Sequence, residues 1–188
     1  MVLLAALLIG LVAGVVTGGR LGNLANMNFR WPWLVVGALV VREAIIVTPL
    51  NRMEGVQYVY ATALTALIAW TIWHMSRVRG ALIVAAGAAL NLTVVMANGA
   101  RMPVTPTLAG SLVERGHAGQ YVVMGSGTNI NWLGDWIGVS GPLGGAYSPG
   151  DAVVALGIAI VAFFATRQGP AAATKLGETS GRIGSYPP

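Results

Sequence analysis

Charge is almost absent from long stretches of this chain, and that limits its folding more than any other feature. Five apolar runs result: Val2 to about Gly18, Pro32 to Thr48, Val56 to His74, Ala81 to Ala97 and Asp151 to Thr166. Charged residues make up 9% of the 188 and hydrophobic ones 55%, where an ordinary soluble domain has roughly 25% charged residues. Too few polar side chains remain to coat a water-facing surface. One membrane crossing uses about 20 residues, so the shorter runs are expected to extend into their flanks. The expected fold is all-α: a polytopic membrane helical bundle of five transmembrane helices at residues 1–167. It includes a long folded outer segment at 98–150, and a disordered cytoplasmic tail follows at 168–188.

The formal net charge of +5 does not signal nucleic acid. Its arginines fall one or two at a time between apolar runs, whereas a nucleic-acid site needs a basic patch or stripe. Cysteine is absent, which removes disulfides, thiolate metal sites and cysteine nucleophiles. The first run lacks the preceding positive charge of a secretion signal and is followed by Arg20, a pattern that retains it. Gly10, Gly14 and Gly18 share one helix face, where small residues let helices approach closely. They serve either packing within the chain or a homo-oligomer face.

Basic loop residues collect on the cytoplasmic side of membrane proteins. With the N-terminus outside, Arg20, Arg30, Arg77, Arg79, Arg167, Lys175 and Arg182 fall inside, and Arg52, Arg101 and Arg115 outside. Trp and Tyr prefer interfaces. Trp31, Trp33, Trp70 and Trp73 then mark the inner boundary, and Tyr58, Tyr60, Trp132 and Trp136 the outer one. The expected location is a bacterial cytoplasmic membrane with the C-terminus inside and lipid as a partner. The segment 98–150 is rich in Gly, Pro, Ser and Asn, yet its apolar patches Tyr121–Met124 and Trp132–Val139 argue for folded structure. A short amphipathic helix is expected at Leu108–Arg115.

Several residues are candidates for chemistry. Arg42 and Glu43 lie within an apolar run, where ionisable groups are costly and usually functional; they are either a substrate-orienting pair or a structural ion pair. Asn91 is either their partner or a bond between helices. Asp135 and Asp151 are the only aspartates. Two neighbouring carboxylates can share a proton and act as acid and base. Against this, Ser148-Pro149-Gly150-Asp151 also reads as a helix start with Ser148 at the N-cap. Asn98-Gly99 turns the chain out of the fourth run, and Arg101 after it suits a lipid phosphate or either aspartate. His74 and His117 fall on opposite sides, so no shared metal or haem site is expected. No cofactor motif appears.

Asn98-Gly99, Met102-Pro103-Val104, Leu133-Gly134-Asp135, Tyr147-Ser148 and Gly150-Asp151 together resemble a bacterial family of small multipass membrane proteins, domain of unknown function 5317. The resemblance implies membrane location and a preserved outer segment, and no activity. Tyr147-Ser148-Pro149-Gly150-Asp151 is also locally similar to the Phe-Asn-x-Ala-Asp motif of lipoprotein signal peptidase. By that similarity Asp135 and Asp151 would activate a water. Ser148 stands where that motif has Asn, and Asn131 precedes Asp135 by four positions rather than three. Three functions follow as expectations: a binding or accessory subunit acting through its extracytoplasmic segment, an intramembrane aspartic hydrolase, and a small transporter.

Overall fold

The computed structural model describes residues 2–27, 29–110, 117–141 and 144–167. Within these, the side chains of Asn26, Pro32, Leu39, Arg42, Glu43, Ile46 and Val47 are outside the description. Among the described residues, five α-helices follow in chain order: α1 (Val2–Val16), α2 (Pro32–Val47), α3 (Val56–His74), α4 (Ala81–Ala97) and α5 (Pro149–Ala165). Short 3-10 turns lie at Leu21–Asn26, Pro49–Arg52 and Asn131–Leu133.

Local backbone chemistry sets the helix ends. Gly55 and Gly80 stand before α3 and α4 at φ +90° and +95°, a conformation open to glycine without a Cβ penalty. Gly99 and Ala100, at φ 63° and 64°, turn the chain away after α4. Ser148 and Asp151 form a reciprocal capping box at the start of α5, with Pro149 in its first turn.

These stops overturn the expected all-α bundle of five full spans. Among the described residues, only α3, with 19 residues, is both long and apolar enough to cross a membrane by length and composition. The other four helices have 15 to 17 residues, or about 22 to 26 Å at 1.5 Å per residue. A hydrocarbon core is about 30 Å thick. The flanks do not lengthen these helices, because turns and caps close them. The described part of the segment 98–150 holds two small β-sheets and a short 3-10 turn.

Helix α5 lies between α1 and α4, antiparallel to α4. Gly10 and Gly14 of α1 face Ala159, Ala162 and Thr166, so α1 runs parallel to α5. A Cβ at Gly87 of α4 would stand 2.6 Å from the Val154 nitrogen, and one at Gly157 of α5 2.6 Å from the Val84 nitrogen. Two backbones approach here because no side chain separates them. Gly10 and Gly14 thus serve packing within the chain, while Gly18 has nothing within 4 Å of its Cβ position.

The first sheet has the order β1 (Met102–Val104), β3 (Tyr121–Val123), β2 (His117–Ala118). β1 pairs parallel with β3, and β3 antiparallel with β2. Asp135 extends the other edge of β1: its N–H donates to Pro103 O at 2.8 Å, and its carbonyl accepts from Thr105 N at 3.0 Å. Gly134 allows that approach, since a Cβ there would stand 2.6 Å from Pro103 O. The second sheet is the hairpin β4 (Ile137–Val139) and β5 (Gly145–Tyr147). Ala61, Val94, Val95, Ala100, Met102 and Leu133 form one buried cluster, with Tyr60, Tyr121 and Ile130 against it. The segment is therefore fastened to α3 and α4 by a shared core.

The opposite end of the molecule is aromatic and basic. Trp70 lies 4.1 Å from His74 between ring centroids, and Trp31 contacts both Trp33 and Trp73. His74 is buried; its Nε2 accepts from Arg30 N at 3.1 Å and its Nδ1 lies 2.8 Å from Trp70 O. A proton on Nδ1 satisfies both contacts.

Candidate functional site

Two residue groups at the sheet end combine polar side chains from distant parts of the chain. The first joins α4 to α5. Asn91 donates from Nδ2 to Asp151 Oδ1 at 2.8 Å, and its Oδ1 accepts from the Ser148 hydroxyl at 2.8 Å. Asp151 N donates to Ser148 Oγ at 2.9 Å, and Ser148 N donates to Asp151 Oδ2 at 3.1 Å. Asn91 uses its amide oxygen and nitrogen, and both carboxylate oxygens of Asp151 accept bonds. Gly150 leaves room for the arrangement, because a Cβ there would collide with the Asn91 amide. Such a closed set satisfies groups whose burial would otherwise be costly.

The aspartates are therefore held in separate ways. Asp151 caps a helix and bonds across to α4, so that Asn91 and the Ser148 backbone each take one of its carboxylate oxygens. Asp135 is buried and stitched by its backbone beside β1. Asn91 joins α4 to the start of α5 through Asp151 and Ser148. Arg42 and Glu43 lie on α2, and their side chains fall outside the description.

Asn98 has a comparable role at the end of α4. Its Nδ2 donates to Val94 O and Asn129 O, and its Oδ1 accepts from Asn129 N at 2.7 Å. Asn129 donates back to Ala97 O at 3.1 Å. This clasp holds the loop at 125–130 against the helix. Of the expected amphipathic helix, Leu108 lies in a turn, and residues 111–116 fall outside the described residues, as does the tail 168–188.

The second group lines an open cavity of about 310 Å³. Arg52 and Glu54 come from the turn before α3, Arg101 from the exit of α4, and His117 from β2. Helices α3 and α4 form an antiparallel hairpin, which brings the start of one and the end of the other to the same place. The wall is braced by Gly119 N, which donates to Asn51 O at 2.7 Å. Gly119 has φ +53°, and its Cβ position lies 3.3 Å from Asn51 Cβ. The Nε of Arg101 is shielded from solvent and has no hydrogen-bond partner among the described residues. The sequence offered Arg101 alone. Arg52 and His117 were missed as its neighbours, although the hairpin parity of the third and fourth runs already placed Arg52 and Arg101 at one end.

A second cavity, of about 380 Å³, lies at the basic end beside Arg20, Asn23, Thr166 and Arg167. Its polar groups are largely occupied. Asn23 Nδ2 and Arg20 N both donate to Thr166 O, and Arg167 Nη2 donates to Thr17 O at 2.8 Å.

The search of curated proteins and the search of solved structures returned no match. The model of a family of unknown function, DUF5317, matches residues 26–163, which span α2 to most of α5 and contain both sheets. The chain belongs to that family.

Proposed function

We propose that this is a membrane-associated binding or accessory protein that works through its segment at 98–150, without catalysis. The observation that carries the reading is the construction of that segment. Two sheets, a shared core with α3 and α4, and the Asn98–Asn129 clasp hold a platform at one end of the helices. Trp132 and Trp136 stand exposed on it, with Trp136 Nε1 bonded to Trp132 O at 2.9 Å. Exposed, rigid aromatic rings suit recognition, because they give large contact area at small entropic cost.

Lipid association is supported by the surface of the helices. Ile9 is 65% exposed, Val12 61%, Val36 60% and Val40 61%. Large apolar side chains exposed on this scale favour a membrane or a partner. Helix α3 supplies one segment of spanning length. We place the end with Arg20, Arg30, Arg77, Arg79 and Arg167 toward the cytoplasm, following the positive-inside rule. The hydrolase alternative needs two carboxylates on one water, and the bonds of Asp151 give it a structural role instead.

Site-specific photo-crosslinking tests the reading. A crosslinking side chain at Trp132 or Trp136, in membranes of expressing cells, is expected to give one discrete adduct. The same group at Trp33 on the opposite end is expected to give none of that mass. Adducts from Trp33 only, or recovery of the chain in the soluble fraction after lysis, sink the proposal.

A further inference from the structure

We infer that the cavity lined by Arg52, Arg101 and His117 is a binding site for a phosphate group. The inference deepens the binding role just proposed, and it rests on that reading only for the segment that supplies Arg101 and His117.

Three nitrogen-bearing side chains converge there from three separate stretches of chain. A charged fork with unused donors attracts oxyanions, and arginine matches phosphate geometry best because two N–H groups reach two oxygens at once. Among the described residues, donors at this cavity are left unspent. Arg101 Nε is buried and lacks an acceptor among the described residues. Among those residues, neither arginine closes an ion pair with Glu54 on the rim. Two arginines at the other end are engaged instead: Arg167 bonds Thr17 O and lies 4.5 Å from the Phe163 ring centroid, and Arg79 lies 4.9 Å from that of Phe164.

The cavity is also preformed. The Gly119–Asn51 bond ties the β2–β3 turn to the turn bearing Arg52, and Met102 N, next to Arg101, donates to Gln120 O, so the backbone that carries both arginines is held before any ligand arrives. Preorganisation of this kind lowers the cost of binding. The volume, about 310 Å³, lies at the low end of small-molecule pockets, roughly 300 to 1,000 Å³. It suits a phosphate with a short organic piece against Met53. Glu54 disfavours a bare polyanion and offers an acceptor to a hydroxyl or ammonium carried beside the phosphate. Two sources share this chemistry: a soluble phosphate ester and a phospholipid headgroup.

The full chain, held in dodecyl maltoside, is the material for the test, since that detergent carries no phosphate. Orthophosphate and glycerol 3-phosphate are titrated by calorimetry, and short-chain phosphatidylglycerol is added in a parallel arm. Saturable binding is expected, weakened at least about tenfold by Arg101→Gln or Arg52→Gln, as for lost charge-assisted bonds. Arg77→Gln, at the opposite end, is expected to bind like the parent. Binding of the soluble probes assigns a free phosphate ester; binding of the lipid alone, with the same dependence on the arginines, assigns a headgroup. Absence of all binding, or binding indifferent to both substitutions while circular dichroism shows folded protein, overturns the site. That failure is separable from failure of the accessory role, because crosslinking from Trp132 does not depend on the arginines.

Discussion

The two ends of the helices use the same residue types in opposite ways. At the basic end, Arg167 bonds Thr17 O and lies over the Phe163 ring, and Arg79 lies over the Phe164 ring. Cations there complement the negative end of the helix dipole. At the sheet end, neutral side chains do the fastening, through Asn91, Ser148, Asn98 and Asn129, and Arg52 and Arg101 are left with donors to spare. The contrast teaches that charge count does not distinguish structural from functional arginines. What separates Arg167 from Arg101 is whether a side-chain N–H already has an acceptor.

The largest expected effect tests the fastening itself. Gly150→Val places side-chain atoms onto the Asn91 amide and near Gly87 O, and is expected to cost about 3 kcal/mol, at the upper end for overpacking. Thermal unfolding in detergent measures it, with Gly125→Ala, which meets open space, as an unchanged control. A Gly150→Val protein as stable as the control would break the claim of close contact between α4 and α5.

Asn91→Leu comes next. It strands the Ser148 hydroxyl and one Asp151 oxygen, at about 2 kcal/mol for buried groups left unsatisfied. Denaturant unfolding reads it, and the double variant Asn91→Leu/Ser148→Ala is expected to cost less than the sum of the singles. Full additivity would mean that the bonds are independent. Smaller still, Arg167→Ala at the basic end removes one hydrogen bond and one ring contact, worth about 1 kcal/mol together. Last, Arg52→Gln is expected to leave the melting temperature unchanged while weakening anion binding. If Arg52→Gln destabilises as much as Arg167→Ala, the two ends do not differ as described.

Much of the helical scaffold was readable in the chain. The run Val56–His74 coincides with α3 and Ala81–Ala97 with α4, because apolar stretches ended by glycine or proline leave little choice of boundary. The capping box of α5 was readable for a similar reason: Ser148, Pro149 and Asp151 occupy positions with a fixed geometric use. Full span length was not readable, since caps and positive-φ residues shorten α1, α2, α4 and α5. The strands were missed because none exceeds three residues, too short for alternation to show; Met102–Val104 is buried at every position. The cavity was hidden because Arg52, Arg101 and His117 are far apart in sequence and meet only through pairing of helices and strands.

The parallel seating of α1 on α5 sets an order in time. α1 is synthesised well before the residues that receive Gly10 and Gly14, which lie at 159–166. A contact of such sequence separation is slow to close, since loop entropy must be met first. While the residues between them are being made, α1 therefore exists without its neighbour α5, and its docking waits on a segment about 150 positions further along.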